Sequence, residues 1–220
     1  MSFYKQVTQD GTSTFFNENF QESYHSNIGA YREALEKHVQ ACKISDLAIN
    51  KKQIKILDIC FGLAYNSFTA IDEAIKANPD IFVDIVALES DAEIILQIPN
   101  CSMPLAFHSM QEQFIAVRDY YKGNNYQINL FIGDARKTIK ELDSMIFDAI
   151  FFDPFSPKTC PELWQEDFIK DVVRTAKQGA FISTYSSSRI AKENFAKANC
   201  TIYEGPKCGR RTGGVLAARV

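Results

Sequence analysis

Apolar, β-prone segments alternate with segments of helical periodicity along most of the 220-residue chain. The predicted strands are 54–60, 81–89, 127–132, 147–152, 179–185, 201–204 and 215–220. The predicted helices are 30–42, 66–77, 92–98, 111–121, 138–142, 166–176 and 190–198. Strands that alternate with helices indicate a mostly parallel sheet with helices on both faces. We therefore expect an α/β, Rossmann-like fold with seven strands in its sheet.

The length favours one domain, because domains commonly contain ~100–200 residues. We expect residues 1–45 to form an N-terminal extension and first helix, and residues 46–220 to form the Rossmann-like core. No stretch approaches the ~18 apolar residues that a membrane span requires, and the N-terminus lacks the pattern of a signal peptide. The six cysteines form no C-x-x-C pair and no compact cluster with histidines. These features predict a cytoplasmic protein with free thiols and no metal site.

Functional residues are expected directly after the strands, because ligands of such sheets bind beyond the carboxyl ends of the strands. Gly62 follows the first strand in a turn that lets backbone N–H groups approach a ligand. Glu89 ends the second strand and can accept hydrogen bonds from ribose hydroxyls. Asp134 follows the third strand and can accept from an exocyclic amine or cap the next helix. An ordinary turn at Gly62 and a solvated Glu89 remain alternatives.

The segment 153–158, DPFSPK, follows the fourth strand and is the most informative motif of the chain. The apolar strand before it places the Asp153 carboxylate at the edge of the sheet. Pro154 and Pro157 stiffen the loop, and Phe155 offers a flat face for stacking. A rigid hydrogen-bond acceptor beside an aromatic ring suits an amine on a flat base. A proline-rich turn with a capping aspartate is the alternative interpretation.

Charge is distributed unevenly along the chain. With 13 Lys and Arg against 21 Asp and Glu, residues 1–157 have a net charge of −8. With 11 Lys and Arg against 6 Asp and Glu, residues 158–220 have a net charge of +5. A basic C-terminal third is compatible with a polyanion-binding side, although such differences also arise from charges that only solvate helices.

These strand-end features, in this order, resemble the class I S-adenosylmethionine-dependent methyltransferases. A narrower resemblance is to the methyltransferase domain of the MnmC-type enzymes, which modify the tRNA wobble uridine, in a stand-alone form without the FAD-dependent oxidase domain. The matching segments are 19–33 (NFQESYHSNIGAYRE), 61–68 (FGLAYNSF), 131–134, 152–164 (FDPFSPKTCPELW), 179–187 and 209–211. The block 152–164 is the specific part, because its Trp164 and second proline pair are not general features of methyltransferases.

The resemblance implies methyl transfer from S-adenosylmethionine to the amine of 5-aminomethyl(-2-thio)uridine in the tRNA anticodon region. It implies that Asp153 orients the acceptor amine. The implied cofactor-binding residues are Tyr24, Gly62, Ala64, Asn66, Glu89 and Asp134. The implied tRNA-binding residues are Phe155, Ser156, Lys158, Arg189, Arg210 and Arg211, with Phe155 stacking on the uracil and the basic residues contacting phosphates.

Other functions stay open at this point. The acidic body is compatible with a class I methyltransferase that acts on an amine of a protein or a small molecule. The turn at Gly62 has fewer glycines than is usual in the family, which is compatible with a catalytically silent binding module. A dinucleotide-dependent oxidoreductase is disfavoured, because the chain lacks a G-x-G-x-x-G motif.

Overall fold

The computed structural model describes residues 3–209 and 211–220, and an eight-stranded sheet forms its centre. The strands of the protein are β1 (Phe3–Val7), β2 (Ser13–Asn17), β3 (Glu22–Ser23), β4 (Gln53–Ile59), β5 (Phe82–Glu89), β6 (Tyr120–Lys122), β7 (Tyr126–Ile132), β8 (Phe147–Phe152), β9 (Ala176–Thr184), β10 (Cys200–Glu204) and β11 (Val215–Arg219). The order across the central sheet is β10-β11-β9-β8-β4-β5-β7-β6. Five consecutive strands, β9, β8, β4, β5 and β7, run parallel, whereas β11 and β6 run antiparallel to their neighbours. The predicted mostly parallel α/β sheet is confirmed.

The sheet has one strand more than the seven expected from the sequence. The additional strand is β6, which pairs with β7 and lies where the sequence predicted the end of a helix over 111–121. The helix ends earlier because the chain turns so that Tyr121 stacks on Phe114, with ring centroids 3.9 Å apart. A tight turn then returns the chain along β7, closed by a hydrogen bond from the Gly123 N–H to the Tyr126 carbonyl.

The helices cover both faces of the sheet. They are α1 (Ala30–Glu33), which continues as a π-helix (Ala34–Gln40), α2 (Ile44–Asn50), α3 (Tyr65–Ala77), α4 (Ala92–Ile95), α5 (His108–Gln111), α6 (Ala135–Thr138), α7 (Glu166–Thr175) and α8 (Arg189–Lys197). Short 3-10 turns occur at Ile98–Asn100, Leu105–Phe107, Glu112–Ile115, Ile139–Glu141 and Pro161–Trp164. Helix α2 was not expected from the sequence. Within residues 3–209 and 211–220, no helix combines the length and the apolar composition that crossing a membrane requires.

The alternation of side chains along β4 explains why helices are needed on both faces. Ile54 and Ile56 are fully buried in a cluster that includes Phe68 of α3. Leu57 and Ile59 are fully buried in a second cluster that includes Trp164. Successive side chains of a strand point to opposite faces, so each face of β4 needs its own apolar cover. This double cover leaves the ends of the strands as the accessible part of the sheet.

The N-terminal segment forms a small antiparallel sheet of its own, β1-β2-β3. The sequence predicted irregular structure or short strands here. This sheet is joined to the core by Tyr65 of α3, whose hydroxyl donates to the Ser13 carbonyl at 2.8 Å. It lies over the carboxyl ends of the central strands, where Glu22 and Tyr24 face the loops that follow β8 and β4.

Candidate functional site

A cavity of about 650 Å³ lies between the carboxyl ends of the central strands and the N-terminal segment. Its volume is in the range of ~300–1,000 Å³ that is typical of small-molecule sites. Six of the residues predicted from the sequence line it together: Tyr24, Gly62, Asn66, Glu89, Asp153 and Phe155. The tertiary structure therefore gathers segments that are up to 131 positions apart, from Tyr24 to Phe155, around one space.

The turn after β4 is built on three left-handed residues in alternation. Cys60, Gly62 and Ala64 have φ angles of 65°, 53° and 66°. Left-handed backbone is usually occupied by glycine, because a Cβ is strained there. The turn adopts this shape with only one glycine, held by hydrogen bonds from the Cys60 and Phe61 N–H groups to the Leu88 carbonyl. The shortage of glycines therefore leaves the backbone shape intact and adds two side chains to the turn.

Glu89 closes the turn from the end of β5. Its carboxylate accepts hydrogen bonds at 2.8 Å from the Gly62 N–H and at 2.8 and 2.9 Å from the Ser90 and Asp91 N–H groups. Burial raises the pKa of the Glu89 carboxyl, and the three backbone donors act in the opposite direction. The backbone donors use three of the about four lone-pair sites of this carboxylate, two on Oε1 and one on Oε2, so Oε2 can accept a further hydrogen bond from a ligand hydroxyl.

Tyr24 lies against the open side of this turn. A Cβ added to Gly62 would stand 3.2 Å from the Cδ1 atom of the Tyr24 ring. The Tyr24 hydroxyl accepts a hydrogen bond from the Asn17 amide at 3.1 Å, which fixes the ring over Gly62. Because Gly62 has no side chain, the Tyr24 ring can lie close to the backbone of the turn. That Tyr24 helps to close a cofactor pocket stays a prediction.

Asp153 projects from the end of β8 into the cavity. Its Oδ2 atom accepts a hydrogen bond from the Asn66 amide at 3.0 Å and lies 3.5 Å from Nε2 of His38. Burial by itself would raise the pKa of Asp153, but the His38 imidazole and the Asn66 amide together hold it well below its usual range. Both contacts involve Oδ2, so among the described side chains no donor engages Oδ1. The carboxylate is thus ionised, oriented and able to accept from a ligand in the cavity.

The loop after Asp153 is fastened to the N-terminal sheet. The Phe155 ring packs against Phe20 and Tyr24, with centroids 4.9 and 5.1 Å apart. Ser156 donates to the Glu22 carboxylate with its hydroxyl and with its N–H, the latter at 3.0 Å. The Phe155 ring and the hydroxyl donor of Ser156 are therefore both in contact with other parts of the protein. If Phe155 and Ser156 contact a substrate, as the sequence predicts, they do so while keeping these contacts or after breaking them.

The remaining predicted residues lie outside the lining of the cavity. Ala64 is buried in the turn, and Asp134 caps α6 while its carboxylate pairs with Arg136 at 2.6 Å. Lys158, Arg189 and Arg211 are exposed. Arg189 pairs with Glu193 at 2.6 Å along α8. Arg210 lies outside the described residues.

Several cavity residues were missed by sequence reasoning. Glu33, Lys37 and His38 line the cavity from α1 and the π-helix that continues it, and His25 lines it from the N-terminal segment. The ring of His38 is shared between Asp153 and Ser183, whose hydroxyl lies 2.9 Å from Nδ1. The sequence placed Glu33, Lys37 and His38 within the predicted helix 30–42, but nothing in its periodicity indicated that they line a cavity.

Comparison with known proteins identifies relatives of the chain. Residues 103–220 match the family described as S-adenosyl-L-methionine-dependent methyltransferases. An uncharacterized protein of Methanocaldococcus jannaschii is 32% identical over 211 residues, which are 96% of this chain and 58% of that protein. The tRNA 5-methylaminomethyl-2-thiouridine biosynthesis bifunctional protein MnmC of Paracidovorax citrulli is 28% identical over 210 residues, which are 90% of this chain and 32% of that protein. The chain thus spans between a third and three fifths of the length of these relatives.

A solved structure resembles the whole fold. The crystal structure of MnmC2 from Aquifex aeolicus superposes with a TM-score of 0.88 at 29% sequence identity, over 99% of this chain and 70% of that chain. The class I methyltransferase fold predicted from the sequence is confirmed by this match.

Proposed function

We propose that this chain, which belongs to the S-adenosyl-L-methionine-dependent methyltransferase family, methylates the amine of 5-aminomethyl(-2-thio)uridine at the wobble position of tRNA. The product would be 5-methylaminomethyl(-2-thio)uridine. The names of the MnmC relatives support a role in this tRNA modification. The observation that carries the proposal is that the oriented Asp153 carboxylate shares one cavity with the turn at Gly62 and the carboxylate of Glu89.

The cavity fits S-adenosylmethionine on two observations. Oε2 of the buried Glu89 carboxylate can accept a hydrogen bond from a ribose hydroxyl, and the missing Cβ of Gly62 lets Tyr24 cover the turn. Asn66 holds Asp153 at the neighbouring end of the same cavity. Asp134 follows β7 and caps α6. A contact between Asp134 and the adenine of the cofactor is a prediction that rests on the family resemblance.

In the proposed reaction S-adenosylmethionine supplies an electrophilic methyl group. An alkylammonium has no free lone pair, so the acceptor must react as the neutral amine. Asp153 accepts an N–H of that amine at Oδ1 and directs the lone pair into the cavity. Holding two reactants in line in this way can lower a barrier by ~7–11 kcal/mol.

The amine gains a methyl group and loses one proton in the reaction. The low pKa of Asp153 means that its carboxylate stabilises the departing proton but does not retain it. The Asp153 side chain is 17% exposed, which leaves a route for the proton to water. Asn66 and His38 keep the carboxylate in place during the transfer, because both contact the oxygen that does not face the amine.

The basic C-terminal third is the proposed tRNA-binding side. Lys158, Arg189 and Arg211 are exposed and would contact phosphates, and Arg210 is included on the basis of the sequence. Phosphate contacts give affinity that falls as salt rises and little choice of sequence. The choice of nucleoside would then come from the cavity, where an unpaired base can stack on an aromatic side chain such as Phe155.

The proposal is tested with Asp153→Asn, Asp153→Ala and tRNA that carries 5-aminomethyluridine. Loss of a positioned acid–base group typically costs ~10²–10⁴-fold in rate, so we expect turnover to fall at least 100-fold. Binding of S-adenosylhomocysteine should stay within about threefold of the unmodified protein, because Asp153 is proposed to face the acceptor. Asp143→Asn, at an exposed aspartate, is the matched control and should keep full activity.

Nucleoside analysis of the product decides the identity of the acceptor. The expected product is 5-methylaminomethyluridine formed with labelled methyl groups. Normal turnover by Asp153→Asn would remove Asp153 from the mechanism. Cofactor binding without any methylated tRNA would show that the acceptor is a different amine, and absence of cofactor binding would leave a silent binding module.

A further inference from the structure

A third region of the cavity is lined by charged residues that the proposed methyl transfer does not use. One region contains Glu89 and Gly62, and a second contains Asp153. The third is lined by Glu33 and Lys37, together with Ser26. Lys37 belongs to the π-helix Ala34–Gln40, an irregularity that is frequent at functional sites.

Glu33 and Lys37 form a buried ion pair. Their residues are 8% and 3% exposed, and the Lys37 ammonium donates a hydrogen bond to Oε1 of Glu33. The other oxygen of Glu33 accepts from the Ser26 N–H at 2.7 Å. Burial by itself would raise the pKa of Glu33, but the charge and hydrogen bond of Lys37 hold it below its usual range. The Glu33 carboxyl is therefore ionised, and both side chains line the cavity.

Such a pair has no obvious structural advantage. Removing two charges from water costs several kcal/mol, and apolar residues of similar volume are often as stabilising as a buried ion pair. Among residues 3–209 and 211–220, the Lys37 ammonium donates to Glu33 alone, which leaves two of its three donors for a ligand. The pair therefore presents a positive and a negative group side by side to the cavity.

S-adenosylmethionine has three chemical parts that can be assigned one to each of these regions. A sulfonium has three substituents, which in S-adenosylmethionine are the adenosyl group, the methyl group and a chain ending in an α-amino acid group. The proposed function directs the adenosyl group to Glu89 and the methyl group to Asp153. The third substituent ends in a carboxylate and an ammonium, and these are the charges that complement Lys37 and Glu33.

We propose that Lys37 binds the α-carboxylate and Glu33 the α-ammonium group of the amino acid end of S-adenosylmethionine. This assignment rests on the proposed function for the use of this cofactor, but it is independent of the acceptor. It makes Lys37 and Glu33 binding residues that hold one end of the cofactor while the sulfonium methyl faces Asp153.

The test compares two ligands that differ only at this end. S-adenosylhomocysteine carries the amino acid group, and 5′-deoxy-5′-methylthioadenosine lacks it. Calorimetry measures the affinity of both for the unmodified protein, for Lys37→Met and for Glu33→Gln combined with Lys37→Met. The matched control is Lys76→Met, which removes an i,i+4 lysine–aspartate pair from the exposed side of α3.

We expect Lys37→Met to weaken S-adenosylhomocysteine binding by about 10- to 100-fold, the usual range for a hydrogen bond to a charged group. Methylthioadenosine affinity should change less than about twofold, which also shows that the variant is folded. The double variant should give the same contrast, and Lys76→Met should change neither affinity.

Equal losses for the two ligands, or an unchanged affinity for S-adenosylhomocysteine, would overturn the assignment. These outcomes differ from a failure of the proposed function. A protein that binds S-adenosylhomocysteine through Lys37 but does not methylate tRNA would retain this cofactor site and lose only the proposed acceptor.

Discussion

Glu22 ties the N-terminal sheet to the loop that carries Asp153, and replacing it tests how that loop is held. Its carboxylate accepts hydrogen bonds from the N–H and hydroxyl of Ser156 and from the hydroxyl of Thr159. Glu22→Gln keeps the shape of the side chain and one of its acceptor oxygens, but it removes the negative charge. The change therefore weakens three contacts between segments more than 130 positions apart without creating a cavity.

The expected loss of stability is modest because Glu22 is partly exposed. Hydrogen bonds to charged groups contribute ~1.5–3 kcal/mol when buried, and solvent reduces this strongly at a half-exposed site. With three weakened contacts at about 0.5 kcal/mol each, and partial compensation by the amide oxygen, we expect a loss of about 1 kcal/mol. For a protein of this length, 1 kcal/mol corresponds to a decrease of about 2–4 °C in Tm.

The pH dependence distinguishes this contact from a general effect of the substitution. Burial by itself would raise the pKa of Glu22, but the hydrogen bonds from Ser156 and Thr159 lower it below the ordinary value of 4.5. A lowered pKa in the folded state means that the carboxylate stabilises the fold above pH 4.5. That contribution is lost as the pH falls through the folded-state pKa, so the two proteins should become equally stable in acid.

Denaturant unfolding of both proteins at several pH values measures this difference. Hydrogen exchange at the Ser156 amide should also become faster in the variant at neutral pH. Glu193→Gln is the control, because Glu193 makes an exposed pair with Arg189 and should show a smaller difference. Equal stability of Glu22→Gln and the unmodified protein at pH 7, or a difference that persists unchanged in acid, would refute the reasoning.

Two further substitutions concern the strand β4, which contains Asp58, and the turn that follows it, which contains Gly62. Gly62→Ala should weaken S-adenosylhomocysteine binding at least tenfold in calorimetry, because φ is +53° and the new Cβ would stand 3.2 Å from the Tyr24 ring; unchanged affinity would contradict the proposed geometry of the turn. Asp58→Asn should alter the pH dependence of stability, since burial raises the pKa of the fully buried Asp58 to about 7 from 3.8, despite the opposing hydrogen bond from Ser67. Folding then takes up a proton, so stability of the unmodified protein falls between pH 4 and 7, by on the order of 4 kcal/mol if Asp58 alone is responsible. The variant should lack this slope in denaturant unfolding, and an identical slope in both proteins would exclude Asp58 as its source.

The N-terminal segment contacts several parts of the proposed site. Tyr24 covers the turn at Gly62, Phe20 packs on Phe155, and Glu22 holds Ser156. Three neighbouring positions of one hairpin therefore contact the proposed cofactor side and the proposed acceptor side. The segment links the two halves of the site, so changes in it should affect both.

The amino-acid sequence by itself determined the order of seven of the eight strands of the central sheet and the identity of the residues at their ends. The predicted strands agree with the observed ones to within three residues at each end, because an apolar run bounded by turn residues is a local signal. The rule that ligands bind beyond the carboxyl ends of parallel strands then selected Gly62, Glu89 and Asp153. These residues do meet in one cavity.

The partners of those residues were decided only by the tertiary structure. Burial alone would have raised the pKa of Asp153, and its low pKa depends on His38, a residue of the predicted helix 30–42 that lies 115 positions earlier. The sequence did not indicate that the Ser156 hydroxyl donates to Glu22, and a substrate contact of Ser156 stays a prediction. The Glu33–Lys37 pair is an ordinary i,i+4 pair in sequence, and only its burial against the cavity makes it a candidate for cofactor binding. Local periodicity reports which face of an element is apolar, whereas charge, burial and hydrogen bonding depend on what distant segments bring to that face.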